Sequence, residues 1–222
     1  MDTLRVEFHC HTVFSKDSLT KPERLVSAAR QKGLQRVIIT DHNNIRGALR
    51  AQQIDPQLII VGEEIMTTRG EILAAFVAEE IPPGLTPHET IRRLREQGAF
   101  ISVSHPFDAI RKGHWDLPDL LEIVPLVDAI ETFNARCMNP VFNVRAQQFA
   151  QEHGLAGTVG SDAHTALELG RATLTLENFA DGDGLRRVIR QGRQQVRLSS
   201  PLIHSTSRFA KIVKKLGWGK AV

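Results

Sequence analysis

The chain has 222 residues, 41% of them hydrophobic, with a formal net charge of +3 and a pI near 9.1. This suits one domain of barrel size with a full core, needs no second domain, and leaves two cysteines, Cys10 and Cys137, too few for a disulfide framework. The positive charge is local: residues 205–222 hold Arg208, Lys211, Lys214, Lys215 and Lys220 without an acid, which speaks against a nucleic-acid-binding body. A cytoplasmic, soluble protein is expected, because the N-terminus shows no apolar leader core and no run approaches the ~18 apolar residues of a membrane span.

Leu4, Val6 and Phe8 alternate with Arg5 and Glu7, which predicts a strand. Residues two apart on a strand share a face about 6.6 Å apart, so His9 and His11 point one way and Cys10 the other. Two imidazoles at a strand end are able to chelate one metal ion, although a hydrogen-bonded pair is the commoner meaning of such a motif. Asp17 follows in a polar loop, Ser15-Lys16-Asp17-Ser18. Thr20-Lys21-Pro22-Glu23 reads as a helix start with Thr20 as N-cap, and the helix stops at Gly33.

The same arrangement recurs. Val37 to Thr40 runs into Asp41-His42-Asn43-Asn44, where Asp41 is able to cap the next helix or to orient a ligand. Leu58 to Val61 runs into Gly62-Glu63-Glu64, and Glu71 to Val77 makes a further strand beside it. Phe100 to Val103 runs into Ser104-His105-Pro106, Ala129-Ile130 into Glu131-Thr132-Phe133-Asn134, and Ala156 to Val159 into Gly160-Ser161-Asp162-Ala163-His164. Six β-type runs each end in a metal-capable side chain, which points to a metal site on the C-terminal rim of a barrel-like sheet.

Taken in order, His9-x-His11 with Asp17, Thr40-Asp41-His42, Gly62-x-Glu64-Ile65, Ser104-His105-Pro106 and Ser161-Asp162-x-His164 resemble the successive motifs of the PHP family, the polymerase and histidinol phosphatase domains. The resemblance covers residues 5 to about 198. It implies an α/β fold, a distorted (β/α)7 barrel, with two or three divalent ions (manganese, zinc or iron) and phosphoester hydrolysis by a metal-bridged hydroxide. It further implies His9, His11, Glu64 and Asp162 on one metal, Asp17, His42 and His164 on another, and Glu64 with His105 on a third, with Glu63 the alternative to Glu64. Asp162, His42 and His164 are then the catalytic candidates, and leaving-group protonation stays open between His42, His164 and water. No histidine follows the Ala129-Ile130 strand, where some family members place a ligand; Glu131 or Asn134 are the substitutes.

The substrate implied is a small phosphorylated metabolite, a nucleotide or a short oligonucleotide. Phosphate contacts are expected from Arg111 and His114 in the basic loop Arg111 to Trp115, from Arg136 just past the rim, and from Arg171. The other reading of the same residues is a catalytically silent metal-binding module that serves as a regulatory or partner domain. Residues 1–200 are expected to form the metal-dependent domain and 201–222 a basic tail helix of unknown partner. In that tail Phe209, Ile212, Val213 and Leu216 follow i, i+3, i+4, i+7 spacing. This predicts a helix packed on the barrel by that stripe, or one facing a membrane surface or RNA.

Overall fold

The computed structural model describes residues 3–217; Lys220 and the end of the expected tail helix lie outside the described residues. Among the described residues nine strands form one sheet: β1 (Thr3–Cys10), β2 (Arg36–Ile39), β3 (Ile59–Met66), β4 (Glu71–Ala75), β5 (Phe100–Val103), β6 (Ala129–Asn134), β7 (Ala156–Gly160), β8 (Ala172–Glu177) and β9 (Arg193–Val196). Their order is β7-β6-β5-β4-β3-β2-β1-β8-β9. The β1–β2–β3 and β5–β6–β7 pairings are parallel, and β4 runs antiparallel between β3 and β5. A bridge from Cys10 to Ala163 returns the β7 end to β1, so the sheet curls into a nearly closed barrel.

The helices are α1 (Pro22–Gln31), α2 (Arg46–Ile54), α3 (Pro87–Glu96), α4 (Leu117–Ile123), α5 (Pro140–Glu152), α6 (Gly182–Val188) and α7 (Ile203–Lys215). Strands β2, β3 and β5 are buried on both faces, as expected where helices cover a parallel sheet. Val37, Ile39, Ile59, Ile101 and Val103 pack outward on helix residues such as Leu25, Ala48, Leu94 and Leu120. Val6, Phe8, Ile38, Ile60, Phe100 and Ala129 fill a second cluster inside the curl.

Simple alternation would leave His9 and His11 on the opposite face from Val6 and Phe8, outside the barrel. The register of β1 on β2 slips between Glu7 and Cys10, and past the slip Cys10 packs in the outer layer. A bulge of this kind re-aims side chains, and here it turns both histidines toward the mouth.

Three local expectations are corrected. Thr20 does not cap α1, whose N-cap is Lys21; its hydroxyl donates to the His164 carbonyl, 3.0 Å away. Asp41 does not cap α2; its carboxylate accepts from the Thr12 amide (2.7 Å), the Thr12 hydroxyl and the Ser15 hydroxyl (2.6 Å). Gly47 is what lets α2 lie this close, because a Cβ there would collide with Asp41 Oδ2 and Thr12 Oγ1.

The third concerns α7. It does pack on the barrel, but by the face opposite the predicted stripe: Ser207 and Ala210 are buried while Phe209, Ile212 and Leu216 are exposed. The ground it covers is a polar rim, and polar groups of α7 satisfy it. Lys214 Nζ donates to the carbonyls of Val13 (2.6 Å) and Ser15, and the His204 ring donates to the Arg136 carbonyl (3.1 Å).

Candidate metal centre

Six strand ends bring their side chains to one buried cluster. His9 and His11 face each other with Nε2 atoms 3.2 Å apart. Two imidazole lone pairs hold that separation only with a proton or a cation between them. Glu64 Oε2 lies 3.4 Å from each ring, and Asp162 Oδ1 lies 3.7 Å from His9 Nε2 and 3.2 Å from His11 Nε2. Ligand atoms about 2.1 Å from a single cation stand roughly 3 to 3.5 Å apart, so the spacing suits a shared ion.

A second group adjoins it. Asp17 Oδ1 is 3.2 Å from His164 Nε2 and 3.5 Å from His42 Nε2, and His11, His42 and His164 present ring nitrogens to one another. On the far side Glu64 Oε1 is 3.2 Å from His105 Nε2, and the other oxygen of Glu64 is 3.0 Å from His42 Nδ1. Glu64 therefore stands between all three groups. Glu63 faces away and accepts from the Ile81 amide at 3.0 Å.

The electrostatics fit a cation centre. Burial weighs against charge on His11, the His164 and His42 rings push the same way, and its pKa falls to about 4, leaving a lone pair open at neutral pH. Burial also opposes charge on Glu64, Asp162 and Asp17. The imidazoles around Glu64 and Asp17, and Arg111 with His9 beside Asp162, outweigh it and hold all three carboxylates ionised. Asp17 Oδ1, Glu64 Oε2 and Asp162 Oδ1 are nonetheless buried without a hydrogen bond. Orphaned carboxylate oxygens aimed at imidazole nitrogens are a donor set for divalent ions, and the residues present fit such a group. Asp162 also sits at φ 49°, strained for a non-glycine residue and maintained by its surroundings.

A second layer holds the candidate ligands in place. Glu131 accepts from His9 Nδ1 (2.9 Å) and from the His105 backbone amide (2.9 Å), so it orients the His9 ring, anchors the start of the His105 loop and does not itself enter the cluster. Ser15 links His11 Nδ1 to Asp41. Glu7, whose pKa burial lifts to about 7 against the hydrogen bonds of Ser161, Gly170 and His9, ties β1 to the loop after β7.

One carboxylate was not foreseen. Glu71, at the start of β4, lies 3.5 Å from His105 Nε2 and 3.8 Å from His42 Nδ1. Burial and the neighbouring Glu64 charge raise its pKa. It joins the third group from the β4 side of His105, and the antiparallel return after Gly70 is what brings it to the rim.

The basic residues divide. Arg111 reaches inward, pairs with Asp162 and Asp108 and touches Asn134 Oδ1 at 3.4 Å. His114 donates from Nδ1 to the Arg111 carbonyl and braces that loop. Arg136 is corrected: it is buried, with its guanidinium on Glu168 (3.5 Å), Ser207 (2.9 Å) and the carbonyls of Asp162 and Ile203. Arg171 is corrected too, since its guanidinium turns to the Leu198 carbonyl, outside the cluster.

The PHP domain model matches residues 7–81, and the PHP-associated model matches residues 140–194. A protein of Methanocaldococcus jannaschii is 35% identical over 153 residues, 63% of this chain and 87% of its own length. The chain belongs to the PHP family. A second protein of that organism is 34% identical over 172 residues, 76% of this chain and 69% of the relative; both are described as uncharacterised. Among solved structures, a two-domain protein of Bacteroides vulgatus, described as containing a predicted PHP-like metal-dependent phosphoesterase, superimposes with a TM-score of 0.72 at 22% identity. The alignment covers 88% of this chain and 65% of that protein's length. It carries the fold, the distorted barrel of PHP domains. His105, Arg111 and Glu131 fall between the two matched segments, so their place in the centre is read from the geometry alone.

Proposed function

We propose that the chain is a metal-dependent phosphoesterase acting on a small phosphorylated metabolite, a nucleotide or a short oligonucleotide. The observation that carries this is the buried row of orphaned carboxylate oxygens on Asp17, Glu64 and Asp162, threaded between five imidazoles. His9, His11, Glu64 and Asp162 would hold one ion, Asp17, His42 and His164 another, and Glu64, Glu71 and His105 a third. Divalent ions bound there, manganese, zinc or iron, supply Lewis acidity that lowers the pKa of water toward 7 and offsets phosphoryl charge.

The protein's own groups do the rest. Arg111 stands beside Asp162 with a planar guanidinium suited to two phosphoryl oxygens, and Asp108 fixes its direction. His42 is the most open imidazole of the set and borders a cleft of about 310 Å³ lined by Phe14, Lys16, Asn43, Arg46 and Lys214. A leaving group would lie in that cleft beside His42, while His164, held between Asp17 and the Asp162 carbonyl, keeps Asp17 in place. Glu71 adds a carboxylate to the third group, beside His105 and His42.

The test is phosphate release by manganese-loaded protein from histidinol phosphate, nucleoside monophosphates, nucleoside 3',5'-bisphosphates and a 5'-phosphorylated RNA, with Asp162→Asn as control. Turnover abolished by the substitution supports the reading. Release no greater than that of the control on every substrate overturns it.

A further inference from the structure

The face that α7 turns to solvent is apolar in a way the fold does not use. Leu202, Phe209, Ile212 and Leu216 are 79%, 61%, 59% and 71% exposed, and they share one side of the helix, opposite the side that carries Ser207, Ala210 and Lys214. Two rim loops near α7 carry further exposed apolar side chains. Leu167, 81% exposed, precedes Glu168, whose carboxylate meets Arg136 beneath Ser207, and Met138, 56% exposed, follows Arg136 by two residues. The loops that bear Leu167 and Met138 thus adjoin α7 on the same rim as the metal centre.

The charge on that face has one sign. Lys16, Lys112, Arg208, Lys211 and Lys215 are exposed there. In the loops after β1, β5, β6 and β7 and along α7, Asp17, Asp108, Asp162 and Glu168 are buried, which leaves Asp116 as the one exposed acid among the described residues of those segments. Arg208, Lys211 and Lys215 lie along one flank of the apolar stripe.

We infer that this rim face docks on an anionic lipid bilayer, α7 lying flat with Phe209, Ile212 and Leu216 among the acyl chains and its basic flank at the headgroups. An interfacial helix binds through the sum of buried apolar area and attraction to acidic lipid, and both terms are present here. A second copy of the chain suits the face less well, because an antiparallel twofold contact would set each basic flank against its duplicate. RNA would answer the charge but not Leu202, Ile212 and Leu216, which offer no stacking surface. The inference does not depend on the reaction proposed above.

The test is co-sedimentation of the full chain with vesicles of phosphatidylcholine alone and of phosphatidylcholine mixed with phosphatidylglycerol. Binding is expected on the mixed vesicles, weakened by salt, and reduced about tenfold or more by Phe209→Ser, Ile212→Ser and Leu216→Ser together. These side chains are exposed, so the variant should keep its circular dichroism; Arg208→Glu with Lys215→Glu gives an independent loss that leaves the apolar stripe intact. The inference is overturned by no binding to the mixed vesicles, by equal binding of the variants and the parent, or by a dimer in solution that the triple substitution dissolves.

Discussion

Replacing Arg136 with Met separates a structural role from a phosphate-binding one. The guanidinium sits in a buried ion pair with Glu168, reaches Ser207, and contacts the backbone at Asp162 and Ile203, so it ties the loop after β6 to the metal loop and to α7. Removing one partner of such a pair leaves the other charge buried and costs about 3 to 5 kcal/mol. For a domain of this length that is a fall in Tm of roughly 10 °C. Burial already raises the pKa of Glu168, and losing Arg136 raises it further. A carboxylate with a raised pKa is accommodated while protonated and destabilises the fold as pH climbs through the folded value, so the deficit of the variant should widen from pH 5 to pH 8. Urea unfolding at the two pH values measures this, and the double substitution Arg136→Met with Glu168→Met should recover most of the loss. If Arg136→Met unfolds like the parent while the KM for a phosphoester rises tenfold, Arg136 is a substrate anchor and the structural argument is wrong.

Glu63 gives a second pH effect. Burial lifts its pKa from 4.5 to about 8, so stability present below pH 4.5 is lost as pH rises through 8, by at most about 5 kcal/mol. Glu63→Gln keeps an acceptor for the Ile81 amide and should flatten the dependence of urea midpoint on pH between 5 and 9; parallel curves would refute this. At Gly160 a Cβ would collide with Glu131 Oε1 and His9 Cβ, so Gly160→Ala should weaken metal affinity about 10- to 100-fold by calorimetric titration, and unaltered affinity would count against the orienting role of Glu131. Manganese at a hundred times its dissociation constant should stabilise the protein by about 2.7 kcal/mol, reversibly with chelator; a Tm indifferent to metal would remove the case for a cation centre.

The candidate cluster was legible because most of its residues follow a run of β-branched or apolar residues, and parallel strands carry their ends to one rim; Asp17, in a loop, rested on the family resemblance. Glu71 was hidden because it begins a strand of reversed direction, and alternation alone does not tell which end of a hairpin meets the rim. The slip in β1 was hidden as well, since pairing with β2 and not the residues of β1 decides where the phase changes. Arg136 looked like an anchor by position, yet its acid partner lies 32 residues further along and meets it through the fold alone. For α7, periodicity identified two unlike faces. Which face turns inward depended on the surface beneath, here backbone carbonyls that need donors more than they need hydrocarbon.

Lys214 fastens the carbonyls of Val13 and Ser15 across separations of 201 and 199 residues in the chain, and Lys211 stands 3.3 Å from Asp17 Oδ2 in the same loop. Nearly the whole polypeptide must therefore be made before the loop that bears Asp17 receives these donors. During synthesis His9, His11 and Asp17 leave the ribosome before that fastening exists, so the Asp17 loop is fixed only after the barrel has curled. Loop closures of that length are slow compared with local contacts, so acquisition of a rigid Asp17 should trail formation of the sheet during refolding.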